Sequence, residues 1–93
     1  MPKNKKITCI IPVYNEETTV AKVVSLVLKT PKIDEVIVVN DGSTDNTLEK
    51  LKRFKNKIKI INLPENHGKG YAVAQGLKKV KNPYVLLLSA ELP

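Results

Sequence analysis

A chain of 93 residues, 42% hydrophobic and 27% charged, fits one soluble domain over residues 1–93 with a marginal core. Its longest apolar run, Val85-Leu86-Leu87-Leu88, is far short of the roughly 20 residues of a membrane span, and the basic start Met1-Pro2-Lys3-Asn4-Lys5-Lys6 leads into no signal-peptide apolar region. The net charge of +7 is read as a solvated lysine surface rather than a nucleic-acid surface, because Arg53 is the sole arginine and aromatic residues make up 4%.

The first apolar run, Ile7–Ile11, is expected as a strand, and the unpaired Cys9 within it as a small core residue. A cysteine that cannot form an internal disulfide agrees with a cytoplasmic location. Thr18 to Lys29 has helical spacing, with Val20, Val23, Val24, Val27 and Leu28 on the inner face. Val36–Val39 forms the second strand. Thr44 to Phe54 forms the second helix, with Leu48, Leu51 and Phe54 on one stripe, capped by Ser43 or Thr44. Ile58–Leu63 and Tyr84–Leu88 are the third and fourth strands. Between them Gly70 to Val80 is helical, with Ala72, Val73, Gly76, Leu77 and Val80 inward. Runs so rich in Val, Ile and Leu are those of strands buried on both faces. The alternation predicts an α/β fold: a three-layer αβα sandwich around a parallel four-stranded sheet of order 3-2-1-4, half of a doubly wound fold.

In such a sheet the stretches after the strands converge on one edge, where ligands bind. Five of the nine acids, Glu16, Glu17, Asp41, Glu65 and Glu91, fall there on an otherwise basic chain. Asp41 can accept a base N–H or a ribose hydroxyl in a charge-assisted hydrogen bond. Gly42 lets the backbone turn and come close to a ligand. Asp-Gly-Ser-Thr is also ordinary turn chemistry, so a well-capped strand-to-helix turn is the plainer alternative. Gly68-Lys69-Gly70 opens the third helix, where backbone N–H groups and the Lys69 charge suit an anion. Tyr14 either stacks on a base or covers the core. His67 is a metal or phosphate contact or a polar loop residue.

Ile10-Ile11-Pro12-Val13-Tyr14-Asn15-Glu16-Glu17, Val38-Val39-Asn40-Asp41-Gly42-Ser43-Thr44-Asp45 and Asn66-His67-Gly68-Lys69-Gly70 resemble, in order and spacing, the motifs of inverting family-two glycosyltransferases of the GT-A fold. Their flavour is similar to that of polyprenyl- and dolichyl-phosphate sugar synthases. The resemblance spans nearly the whole chain and the front, nucleotide-binding half of such a domain. It implies that Pro12, Tyr14, Glu16, Val39 and Asp41 contact the base and ribose of a UDP- or GDP-linked sugar, with Gly42, Lys69 and Gly70 completing the nucleotide site. The family's Asp-x-Asp metal motif falls on Ser89-Ala90-Glu91, so Glu91 is the one candidate ligand for a divalent Mg or Mn ion. Asn40 stands for the usual first Asp of the turn, and Ala74 where many relatives carry Arg.

Two functions follow as expectations. One is the nucleotide-sugar-binding portion of a glycosyltransferase, incapable of sugar transfer alone because the acceptor half and catalytic base are missing from the 93 residues. The other is a structural or interaction module that kept the fold and lost the ligand. The uncharged edge strand Tyr84–Leu88 further predicts a homodimer through that strand.

Overall fold

The computed structural model describes residues 5–90. Its elements are β1 (Ile7–Val13), α1 (Val20–Leu28), β2 (Glu35–Asp41), α2 (Thr47–Lys52), β3 (Lys59–Leu63), α3 (Lys69–Leu77) and β4 (Tyr84–Leu87). All strand pairs are parallel and the order is β3-β2-β1-β4, as expected. β1 and β2 sit in the middle, so neither face of either strand meets water. Their period-two alternation then splits the core in two. Cys9, Ile11, Val13, Val36 and Val38 pack against Val20, Val23, Val24 and Val27 of α1 and Leu51 of α2. Ile10, Ile37 and Val39 pack against Ala72 of α3 on the other face. Gly76 brings α3 down onto the sheet, since a Cβ there would lie 2.8 Å from Ile10 Cγ2.

Three local expectations are corrected. β4 is not buried on both faces. Tyr84, Val85, Leu86 and Leu87 keep 38%, 40%, 45% and 54% of their surface, because β4 pairs with β1 alone and is an edge. Leu77 does not point inward and is 47% exposed, because α3 touches the sheet along its Ala72–Gly76 stripe and Leu77 lies on the flank. Neither Ser43 nor Thr44 caps α2. The Asp45 carboxylate accepts the Thr47 N–H instead, at 2.9 Å. α2 is also shorter than expected, Thr47–Lys52, and the backbone N–H groups of Thr44 and Asp45 ahead of it donate to Asn15 Oδ1.

Candidate functional site

The carboxyl ends of β1, β2 and β3 feed loops that close around a cavity of about 200 Å³, lined by Pro12, Val13, Tyr14, Glu16, Asp41, Asn66, Gly68 and Lys69. The cavity opens to solvent, so a ligand larger than its volume can project from it.

Each lining residue arrives for a local reason. β1 runs out through Pro12, which is buried, and the chain leaves the sheet at Tyr14. Asn15 adopts φ 50° and turns it back into the first turn before α1. Glu16 closes that turn, its carbonyl accepting N–H groups of Thr19 and Val20. β2 carries Asp41 to the same edge. This carboxylate is 3% exposed, and each of its oxygens has a partner. Oδ1 accepts the His67 N–H and Oδ2 the Gly68 N–H, both at 2.9 Å. Thus the acid at the end of the buried strand holds the β3–α3 loop in place as well as lining the cavity.

Gly42 works on the same joint. At φ 68°, a Cβ on it would sit 2.3 Å from the Glu65 carbonyl carbon and 2.4 Å from the Asn66 nitrogen. The close approach that glycine permits here is to the chain's own β3–α3 loop. Asn40, 2% exposed, adds a cross-strand tie, its Nδ2 donating to Asn62 Oδ1 at 2.9 Å.

α3 begins at Lys69 with Gly68 as its N-cap, in the left-handed region at φ 96°. The amide-rich helix start and the Lys69 side chain therefore border the cavity with positive charge. Tyr14, 43% exposed, supplies an accessible aromatic ring and is not a core residue. His67 stands outside the lining set, its ring 4.4 Å from that of Tyr71.

The cavity therefore gathers Pro12, Tyr14, Glu16, Asp41 and Lys69 from the expected residues and leaves Val39, Gly42 and Gly70 outside its lining. Val39 is wholly buried beneath α3. Val13 and Asn66 line the cavity without having been anticipated. The signal for Asn66 was its position between the strand end and the Gly68-Lys69-Gly70 helix start. Cys9 is buried in the core, and burial pushes its thiol up to about 11.

The metal expectation rests on Ser89-Ala90-Glu91, and Glu91 lies outside the described residues. The Ala90 carbonyl already accepts the Thr19 hydroxyl at 3.1 Å. Among the described residues no cluster of three or more His, Cys, Asp and Glu could hold a metal ion. None of the described helices is long and apolar enough to cross a membrane.

Comparison with known proteins adds the following. The profile of the family described as Glycosyl transferase family 2 matches residues 8–91. The poly-beta-1,6-N-acetyl-D-glucosamine synthase of Staphylococcus aureus (strain COL) is 40% identical over 89 residues, covering 91% of this chain and 21% of that protein. Among solved structures, S. aureus TarS 1-349 in complex with UDP-GlcNAc superposes with a TM-score of 0.79 at 32% identity, over 91% of this chain and 26% of that one. Glucosyl-3-phosphoglycerate synthase from Mycobacterium tuberculosis, in complex with Mn2+, UDP-glucose and phosphoglyceric acid, gives a TM-score of 0.78 at 25% identity, over 96% and 34% respectively. The chain spans about a fifth of the length of the curated relatives it matches.

Proposed function

Because the chain belongs to glycosyl transferase family 2 and carries the parallel β3-β2-β1-β4 sheet of the GT-A fold, we propose that its carboxyl-edge cavity binds the nucleoside diphosphate of a UDP- or GDP-linked sugar. One observation carries this reading: an accessible aromatic ring, two carboxylates and a lysine at a helix start, from three different loops, share one cavity. Tyr14 offers a face for the base. Glu16 is the acceptor for ribose hydroxyls. Lys69 and the N–H groups at the start of α3, Gly70 included, receive the diphosphate. Asp41 acts chiefly by holding the wall made by Asn66 and Gly68, Gly42 packs against that wall, and Val39 supports α3 from beneath.

Relatives of known structure have been solved with UDP-GlcNAc and with UDP-glucose and Mn2+, which supports a nucleotide-sugar ligand and a divalent ion, which would offset the charge of the diphosphate. Glu91 is the only residue of the expected metal motif with a carboxylate. Hence the nucleoside contacts, not a metal, are expected to dominate affinity.

The 93-residue chain alone is expected to bind without transferring sugar. Inverting transfer needs a general base beside the acceptor hydroxyl. Glu16 and Asp41 are the carboxylates on the cavity, Glu16 is assigned to the ribose, and Asp41 is buried and holds two backbone N–H groups. The second reading, a module that keeps the fold without the ligand, draws on Ser89 and Asn40 where the family carries acids. The exposed β4 edge adds a proposed homodimer, and the unpaired, buried Cys9 a proposed cytoplasmic location.

Calorimetry with UDP and with GDP, each with and without Mn2+, decides between the readings. Weak binding of at least one nucleotide is expected, reduced roughly tenfold in Tyr14→Ala and in Lys69→Ala, about what one stacking or charged contact contributes. The absence of heat with either nucleotide at millimolar concentration sinks the nucleotide reading and leaves the interaction module.

A further inference from the structure

Asn15 does not line the cavity, yet both of its chain neighbours, Tyr14 and Glu16, do. Its φ of 50° puts it in the left-handed region, which asparagine enters more readily than most residues. Its Oδ1 accepts the Thr44 N–H at 2.8 Å, the Asp45 N–H at 3.3 Å and the Thr44 hydroxyl at 3.4 Å. Its own N–H donates to Ser43 Oγ at 2.9 Å. The Ser43 hydroxyl donates onward to Asn40 Oδ1 at 2.6 Å, and Asn40 Nδ2 to Asn62 Oδ1 at 2.9 Å. One directional hydrogen-bond chain thus runs from the end of β1 across β2 to β3, and bonds aligned in this way polarise one another.

The next two residues are held by the same partner loop. Glu16 N–H donates to Thr47 Oγ1 at 2.9 Å, and Glu17 N–H to Asp45 Oδ2 at 3.3 Å. In return the Glu17 carboxylate accepts the Asn46 N–H at 3.3 Å. Three consecutive amides of the β1–α1 loop are therefore pinned to the β2–α2 loop. Asn15 and Glu17 both bond in the two directions, and of the three only Asn15 has a left-handed backbone and an acceptor that gathers two backbone N–H groups.

We propose that Asn15 is the positioning residue of the nucleotide site, fixing where Tyr14 and Glu16 stand by locking the β1–α1 loop onto the β2–α2 loop. This rests on the nucleotide reading above. It assigns to Asn15 no contact with the ligand. A site held within a fraction of an ångström binds without having to order its loop first, and a loosened one spends affinity on that ordering.

The test uses three variants. Asn15→Gly keeps the left-handed backbone and removes the amide oxygen. Asn15→Asp puts an acceptor oxygen back. Ser43→Ala cuts the chain from the partner side. Amide exchange at Thr44 and Asp45 reports the lock itself, and calorimetry with UDP and with uncharged uridine reports the site. For Asn15→Gly we expect faster exchange at both amides and roughly tenfold weaker UDP binding, with an amide spectrum that is otherwise folded. Ser43→Ala shifts both in the same direction by less. Asn15→Asp restores slow exchange and brings uridine affinity back to within about threefold of the native chain, the neutral probe removing repulsion between the new charge and a diphosphate. Native affinity in Asn15→Gly, or in Ser43→Ala should the glycine variant not fold, overturns the proposal. So does an aspartate variant that recovers protection but not affinity. A native chain that binds no UDP fails at an earlier step and removes the nucleotide reading together with this one.

Discussion

Replacing Asp41 by Asn keeps the size of the side chain and removes its charge. In the native chain its two oxygens accept the N–H groups of His67 and Gly68 at 2.9 Å from a site 3% exposed. An amide has one oxygen, so one of the two N–H groups faces an NH2 that cannot accept. The loss is one charge-assisted hydrogen bond, about 1.5–3 kcal/mol, with the surviving bond reduced to a neutral one. Asp41→Ala loses both, about 3–6 kcal/mol. A domain of this size has about 5–14 kcal/mol of stability in total at about 0.05–0.15 kcal/mol per residue. Asp41→Asn should therefore fold with a clearly lower urea midpoint at pH 7 and an unchanged m-value, while Asp41→Ala approaches the limit of folding. Thermal unfolding should drop by roughly 6–24 °C for Asp41→Asn, at about 4–8 °C per kcal/mol for a chain this short. Amide exchange at His67 and Gly68 should rise ahead of the rest of the protein. An Asp41→Asn protein within about 0.5 kcal/mol of native, in the range of an ordinary surface change, would show that the carboxylate does not hold the loop.

Gly42→Ala should destabilise by at least about 1–3 kcal/mol, since φ 68° and a Cβ 2.3 Å from Glu65 both oppose it; a neutral effect in urea unfolding refutes the contact. Desolvation raises the Asp45 pKa, but the Thr47 hydroxyl and the N–H groups of Thr47 and Glu17 outweigh it and hold the carboxyl below its ordinary value. A depressed folded pKa gives stability that is present above the unfolded value near 4 and lost as pH falls through the folded one, so Asp45→Asn should flatten the decline in melting temperature below about pH 4 and leave its slope above pH 5 unchanged. Leu87, 54% exposed on the unpaired edge, should mediate self-association through antiparallel β4 pairing: light scattering on the native chain is expected to give twice 10.4 kDa and Leu87→Lys one chain mass, and a native monomer at high micromolar concentration refutes it.

The layered core was readable because its signal is redundant. Each strand and helix of the middle layers repeats the same apolar spacing, so Val20, Val23, Val24 and Val27 could be placed inside from period alone. Period fails where no helical layer covers a face. β4 has the composition of a central strand and the surroundings of an edge, and Leu77 follows a helical stripe that the sheet does not reach. Helix starts failed for a different reason. Thr44 and Asp45 have the residue types of a cap, and which of them caps depends on Asn15, 29 and 30 residues away in sequence. No local window contains that partner. The cavity was legible as a set of loops, because topology alone brings strand ends together. Which atoms face it was not, as Val39 and Asn66 show from opposite sides.

The same division explains why the three motifs carry so many small polar residues. In Tyr14-Asn15-Glu16-Glu17 and Asp41-Gly42-Ser43-Thr44-Asp45, the residues with side chains bonded to the neighbouring loop are Asn15, Glu17, Asp41, Ser43, Thr44 and Asp45. Those left to line the cavity without such a role are Tyr14 and, apart from a long bond to the Thr19 hydroxyl, Glu16. An open α/β edge has no covering layer, so its loops can be held only by one another. Acids serve this purpose well, because one carboxylate can accept two backbone N–H groups, as Asp41 does. Acids concentrated at one edge of a chain of net charge +7 therefore require no ligand to explain Glu17, Asp41 and Asp45. What points to a ligand is instead the Tyr14 ring and the Glu16 carboxylate, cavity-lining side chains that do not bond the β1–α1 loop to the β2–α2 loop.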